Sequence, residues 1–88
     1  MALFVSRFAW ETVMNFADIV IRINENLDQA EIKELERDLE SEEGVYEADI
    51  LENRRHLLFV DYDPSRVQPD RIVHSVRSHG LHAEMIVA

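Results

Sequence analysis

Two hydrophobic periods alternate along this chain in an order that admits few folds. Asp18 to Ile23 has period two: Ile19, Ile21 and Ile23 share one side, and Asp18, Val20 and Arg22 the other. β-Branched residues at that spacing predict a half-buried strand. From Asp28 the period changes to three and four, with Ile32, Leu35 and Leu39 on one stripe, and predicts a helix. Val45 to Leu51 and His56 to Tyr62 read as two further strands, joined by the polar link Glu52-Asn53-Arg54-Arg55. Ile72, Val73 and Val76 make a second helical stripe, and Leu81 to Val87 a last strand.

The punctuation agrees with these periods. Asp28 is a good N-cap, and Glu31 three residues on completes a capping box. Leu27 before the cap is placed to pack on Ile32 as a hydrophobic staple. Gly44 is the expected stop of the first helix. Pro69 suits the first turn of the second helix, with Asp70 favoured by the helix dipole. Gly80 ends that helix. The order strand–helix–strand–strand–helix–strand, with right-handed crossovers about a central hairpin, predicts an α+β ferredoxin-like βαββαβ sandwich. It is a four-stranded antiparallel sheet with two helices on one face. The other face is left for solvent or a partner. Edge strands two and four offer main-chain groups for strand addition, although Glu47 and Asp49 discourage casual pairing at strand two.

Residues 1–16 stand apart from the domain at 17–88. They carry Leu3, Phe4, Val5, Phe8, Trp10, Val13, Met14 and Phe16, with only Arg7 and Glu11 charged. Leu3, Trp10 and Met14 fall at helical spacing, as do Phe4 and Phe8. The segment has three readings: a helix docked on the domain or on a second copy, a membrane-surface or partner-binding segment, or a non-native extension ahead of a start at Met14. In the first two, Phe4, Phe8 and Trp10 are partner-binding candidates.

The chain has 88 residues, a formal net charge of -9 and no cysteine. That length makes one domain of modest stability. Lack of cysteine removes disulfides, thiol nucleophiles, thiolate metal sites and iron–sulfur clusters, and fits a reducing compartment, so a cytoplasmic location is expected. Residues 25–43 hold nine acids against Lys33 and Arg37, a balance of -7, which leaves -2 for the remainder. Nucleic acid needs the opposite sign and is not expected as a partner. A basic protein surface, a basic peptide or cations are what such a face attracts; the plain reading is a solvated helix face. No apolar run approaches the ~20 residues of a membrane span, and no secretory signal is expected.

Glu31, Glu34, Asp38 and Glu42 form a stripe at helical spacing. Like charges so placed cost a few tenths of a kcal/mol per pair. A basic partner would relieve that repulsion, so these four are candidate partner-binding residues. Ser41, Ser65, Ser75 and Ser78 lie in no nucleophile setting. With only Gly44 and Gly80 there is no glycine-rich phosphate loop. The expectation is a non-enzymatic protein without a cofactor.

Several local sequences follow one another at the spacing of a known family. Asp28 to Gly44 sets the length of the first helix and its turn, with Ile32, Leu35 and Leu39 as the helix pattern. Gly44-Val45 opens strand two. Val60-Asp61-Tyr62-Asp63-Pro64, Val67-Gln68-Pro69-Asp70-Arg71-Ile72 and His79-Gly80-Leu81-His82-Ala83-Glu84 follow. The chain resembles the heavy-metal-associated domain of copper chaperones and metal-pumping ATPases over about four-fifths of its length. The resemblance implies the ferredoxin-like fold and a metal-transport relation. It breaks at the functional residues. The family's G-M-x-C-x-x-C falls on Glu25-Asn26-Leu27-Asp28-Gln29-Ala30-Glu31, and the soft ligands that select copper(I) or zinc are absent.

Two readings of function follow, beside a third, a regulatory small-molecule module, that rests on fold analogy alone. In the first, the chain is a small HMA-like binding module that has lost thiolate metal binding and works through protein contacts, with a partner or with itself as a homodimer. In the second, it is a divalent-metal-binding or transport-associated domain with carboxylate and imidazole ligands. There Asp28 and Glu31, at the family's cysteine positions, join His82, since the turn before strand four lies near the turn after strand one. Asn24, Glu25 and Asn26 add oxygens nearby, and His74 and His79 are further imidazoles. Two carboxylates in one helical turn do not complete a calcium or magnesium shell, and the capping box accounts for both without a metal.

Overall fold

The computed structural model describes residues 16–87. Its elements are β1 (Ala17–Ile23), α1 (Gln29–Glu40), β2 (Val45–Ile50), β3 (Leu57–Tyr62), α2 (Pro69–Arg77) and β4 (Ala83–Val87). They form one sheet in the order β2-β3-β1-β4, with every neighbouring pair antiparallel. This is the βαββαβ ferredoxin-like sandwich that the alternating periods predict.

The inward side chains of β1 are Ile19, Ile21 and Ile23, and all three are buried. Leu58 and Val60 of β3 continue the layer, and the stripes Ile32, Leu35, Leu39 and Ile72, Val73, Val76 close it from the helix side. Burying each such side chain contributes about 1.5–3 kcal/mol before its ordering entropy is counted. Both helices cover this one face.

The opposite face is set by the pleat. It presents Asp18, Val20 and Arg22 of β1, Leu57, Phe59 and Asp61 of β3, Glu47 and Asp49 of β2, and Glu84 of β4. A register shift between Val45 and Glu47 leaves Tyr46 as the extra residue of a bulge. Its ring stacks on Phe16, with centroids 5.6 Å apart.

Local chemistry sets the joints. The capping box forms in both directions: Glu31 N–H donates to Asp28 Oδ1 at 2.8 Å, and Asp28 N–H to Glu31 Oε1 at 2.9 Å. Leu27 and Ile32 are both buried, as the staple requires. Four details differ from the sequence reading. Helix α2 ends at Arg77 on a Ser78 cap in ordinary helical backbone rather than on Gly80. Helix α1 ends at Glu40 on a Ser41 cap in ordinary helical backbone rather than on Gly44; Ser41 N–H still reaches Arg37 O, and its hydroxyl donates to Asp38 O, so the last carbonyls find donors without a left-handed residue. The link between β2 and β3 contains a 3-10 turn at Glu52–Arg54. Strand β4 begins at Ala83, because Leu81 and His82 are taken up in the turn that meets the β1–α1 loop.

Gly44 has a separate task. Its φ is +92°, and a Cβ there would come within 2.9 Å of Val67 Cγ1. It lets the chain pass under the β3–α2 loop, where its carbonyl accepts from Asp63 N–H at 2.7 Å.

Candidate functional site

The segment that the sequence resemblance sets against the family's metal motif, residues 25–31, begins in the β1–α1 loop, which meets the turn before β4. The backbone joins the two loops through Asn24 N–H and His82 O at 3.0 Å. Glu25 spans the same gap. Its Oε1 accepts from His82 N–H at 2.9 Å, and its Oε2 lies 2.6 Å from His82 Nδ1. The bond with the His82 side chain, ahead of that with its backbone, holds the Glu25 carboxyl below the ordinary glutamate range. Glu25 and His82 therefore clamp two loops that 57 residues of sequence separate.

Asp28 and Glu31 lie beside this clamp but face one another. Each carboxylate receives the other's backbone N–H, so both are engaged in starting α1. The imidazole of His82 is partnered by Glu25 rather than by Asp28 or Glu31. Among the described residues, no group of three or more histidine, aspartate and glutamate side chains is placed to hold a metal ion. Sequence reasoning names Glu25 only as one nearby oxygen. Its role as the partner of His82 depends on the meeting of two distant loops, which no local pattern encodes.

The acidic stripe lies along the outer side of α1. Glu31 and Glu34 border a cleft of about 110 Å³ with Leu27, Leu35, His79 and Leu81. His79 Nε2 is 3.5 Å from Asp38 Oδ2, so the turn after α2 brings an imidazole onto the stripe. Glu42 is half-buried near the end of the stripe. Phe4, Phe8 and Trp10 lie outside the described residues. Within them, no helix is long and apolar enough to cross a membrane.

Two further glutamates of α1 do something the sequence pattern does not foresee. Glu36 Oε2 accepts from Ile50 N–H at 2.8 Å, and Glu40 Oε2 from Ala48 N–H at 3.1 Å. Ala48 and Ile50 alternate along the outer edge of β2, where an incoming strand would need those donors. The structure corrects the view of β2 as an edge open to strand addition: carboxylates from its own helix occupy it. At the other edge, Arg77 Nε donates to Ala83 O at 2.8 Å, and a register shift between Val20 and Ile21 interrupts the pairing of β4. The i,i+4 spacing of Glu36 and Glu40 is visible in the sequence, but nothing local says that this side of α1 overhangs β2.

No family model and no curated protein matches the chain. Solved structures do. A copper-binding domain from HMA7, a P-type ATPase, superposes with a TM-score of 0.72 at 21% identity, covering 80% of this chain and 93% of that one. Oxidized MerP from Ralstonia metallidurans CH34 gives 0.70 at 11%, covering 80% and 96%. The copper form of a single-substitution variant of CopA from Bacillus subtilis gives 0.65 at 20%, covering 81% and 92%. The resemblance read in the sequence thus holds at the level of the fold. The chain shares the ferredoxin-like fold of these three domains and has no cysteine to supply a thiolate.

Proposed function

We propose that this chain is a small, non-enzymatic binding module of the cytoplasm that keeps the heavy-metal-associated fold and works through protein contacts. The supporting observation is the state of the loop that aligns with the family's metal site. Carboxylates stand at the positions of the family's two thiolates, and they serve the fold: Asp28 and Glu31 cap α1, while Glu25 nearby ties down His82. A ligand that must first break its own capping bond binds a metal at the cost of about 1 kcal/mol of helix stability. The acidic stripe Glu31, Glu34, Asp38 and Glu42 and the negative open sheet face give such a module surfaces for a basic partner.

Native mass spectrometry after equilibration with zinc, nickel, copper(I) and copper(II) tests this reading. A metal-free chain at low micromolar metal is expected. One metal per chain, lost in His82→Ala, would overturn the protein-contact reading in favour of the carboxylate–imidazole site. The same spectra give the subunit count, and with it the choice between a partner and a homodimer.

A further inference from the structure

We infer that the open face of the sheet is a docking surface for a partner segment with an apolar stripe flanked by lysine or arginine. This rests on the protein-contact reading above and assigns that contact a place and a chemistry. The middle of the face is apolar. Val20 pairs with Phe59 across β1 and β3, Leu57 lies two residues from Phe59 on the same side, and all three are half-buried. Around them the pleat places Asp18, Glu47, Asp49, Asp61 and Glu84, against the single guanidinium of Arg22.

The arrangement costs the isolated domain stability. Asp18 and Asp61 stand directly opposite one another in register, and like charges so placed are destabilising. Burial, and then the Asp18 charge, push the Asp61 carboxyl above the ordinary aspartate range. Neither forms a salt bridge among the described residues, where Arg66, His79 and His82 are the paired bases. A cation delivered by a partner would find two facing carboxylates, of which Asp61 is already partly desolvated.

Other occupants fit less well. A second copy would bring the same excess of carboxylates onto this face. Strand addition is hindered at both edges, by Glu36 and Glu40 along β2 and by Arg77 and the irregular pairing at β4. What remains is a face that is apolar at its centre, negative at its margin and, among the described residues, covered by neither α1 nor α2.

The test uses the full chain, labelled with nitrogen-15, and a synthetic 18-residue helical peptide of leucine and lysine. One face of the peptide is all leucine, with lysine on both flanks. A second peptide carries glutamine in place of lysine. The expected result is that the lysine peptide shifts the amides of residues 18–22, 47–49 and 57–61. The glutamine peptide should bind at least about tenfold more weakly. The double substitution Asp18→Asn, Asp61→Asn should weaken the lysine peptide at least about fivefold while leaving the thermal midpoint unchanged or higher. A stability readout that holds while binding falls separates docking from a fold defect. Val20→Thr provides a second variant that trims the apolar centre without touching charge, and it too should weaken binding. Shifts confined to Glu31, Glu34, Asp38 and Glu42 would overturn the inference and move the contact to α1, leaving the protein-contact reading intact. Absence of binding, or equal binding by both peptides, would overturn it as well. Metal capture in the mass spectra is a separate outcome, and it alone strikes the reading beneath.

Discussion

Removing Glu36 and Glu40 together should both destabilise the domain and open its β2 edge. The two carboxylates accept from Ile50 and Ala48 N–H at 2.8 and 3.1 Å, in partly buried positions. A hydrogen bond to a charged group contributes about 1.5–3 kcal/mol when well shielded, and nearer 1 kcal/mol where water can compete. The shorter bond at Ile50 is assigned about 1.5 kcal/mol and the longer one about 0.5 kcal/mol, so Glu36→Ala with Glu40→Ala should cost about 2 kcal/mol. For a domain of this size that is a fall of roughly 8–16 °C in thermal midpoint. Denaturant unfolding gives the energy, and amide hydrogen exchange gives the place: Ile50 and Ala48 should lose protection while the β3 amides keep theirs. The freed donors should also promote concentration-dependent association, seen by sedimentation. Glu36→Gln keeps an acceptor and should cost less than half as much as Glu36→Ala. A double alanine variant within about 0.3 kcal/mol of the parent, with unchanged exchange at Ile50, would refute the account of a sealed edge.

Other substitutions test the remaining joints. Asp28→Ala should cost about 1 kcal/mol by denaturant unfolding through loss of the N-cap, and Glu31→Gln much less, because it retains the return bond. Gly44→Ala should cost about 1–3 kcal/mol, since it forces an L side chain into positive φ and against Val67, and chemical denaturation will read it. Asp61→Asn should stabilise the fold by a few tenths of a kcal/mol at neutral pH. The sign follows from its raised carboxyl: the folded state holds that proton more tightly, so its ionisation costs stability at neutral pH, and the cost disappears as pH falls through the folded value. Glu25 has the opposite sign: its lowered carboxyl stabilises the fold above the ordinary glutamate range, and that contribution is lost as pH falls through the folded value. Comparing pH–stability curves of the parent and Glu25→Gln between about pH 3 and 6 should show that difference, and superimposable curves would refute it.

The fold was legible because each element announces itself locally. Ile19, Ile21 and Ile23 give the strand, Ile32, Leu35 and Leu39 the helix, and Asp28 with Glu31 the join between them. The strand order then follows from crossover handedness and a short hairpin. The end of α1 falls short of the glycine that the pattern marks, because Ser41 satisfies the last carbonyls without a left-handed residue, and Gly44 is needed for its close approach to Val67. The side-chain bonds across elements were not legible. Glu36 and Glu40 look like solvated helix acids until α1 is laid over β2. Glu25 looks like a loop acid until the β1–α1 loop meets the turn before β4. Such bonds depend on the angle and offset at which elements pack, which hydrophobic period does not carry.

The distribution of acid is therefore less uniform in purpose than the charge of -9 suggests. Four of the nine acids between residues 25 and 43 are tied to the protein's own backbone: Asp28 and Glu31 at the start of α1, Glu36 and Glu40 at the edge of β2. A fifth, Glu25, holds the turn before β4, and Glu43 pairs with Arg66 at 2.6 Å. What is left uncommitted is chiefly Glu34 on α1 and Glu42 just beyond its end, with Asp38 drawn toward His79. The excess of negative charge facing outward without an internal task is thus greater on the open sheet, where Asp18, Glu47, Asp49, Asp61 and Glu84 surround Val20 and Phe59. Charge that a fold employs as an acceptor loses stability when it is taken for binding, whereas the repulsion between Asp18 and Asp61 is relieved by binding a cation. On that asymmetry the sheet face, rather than the acidic helix, is the surface from which a basic partner gains most.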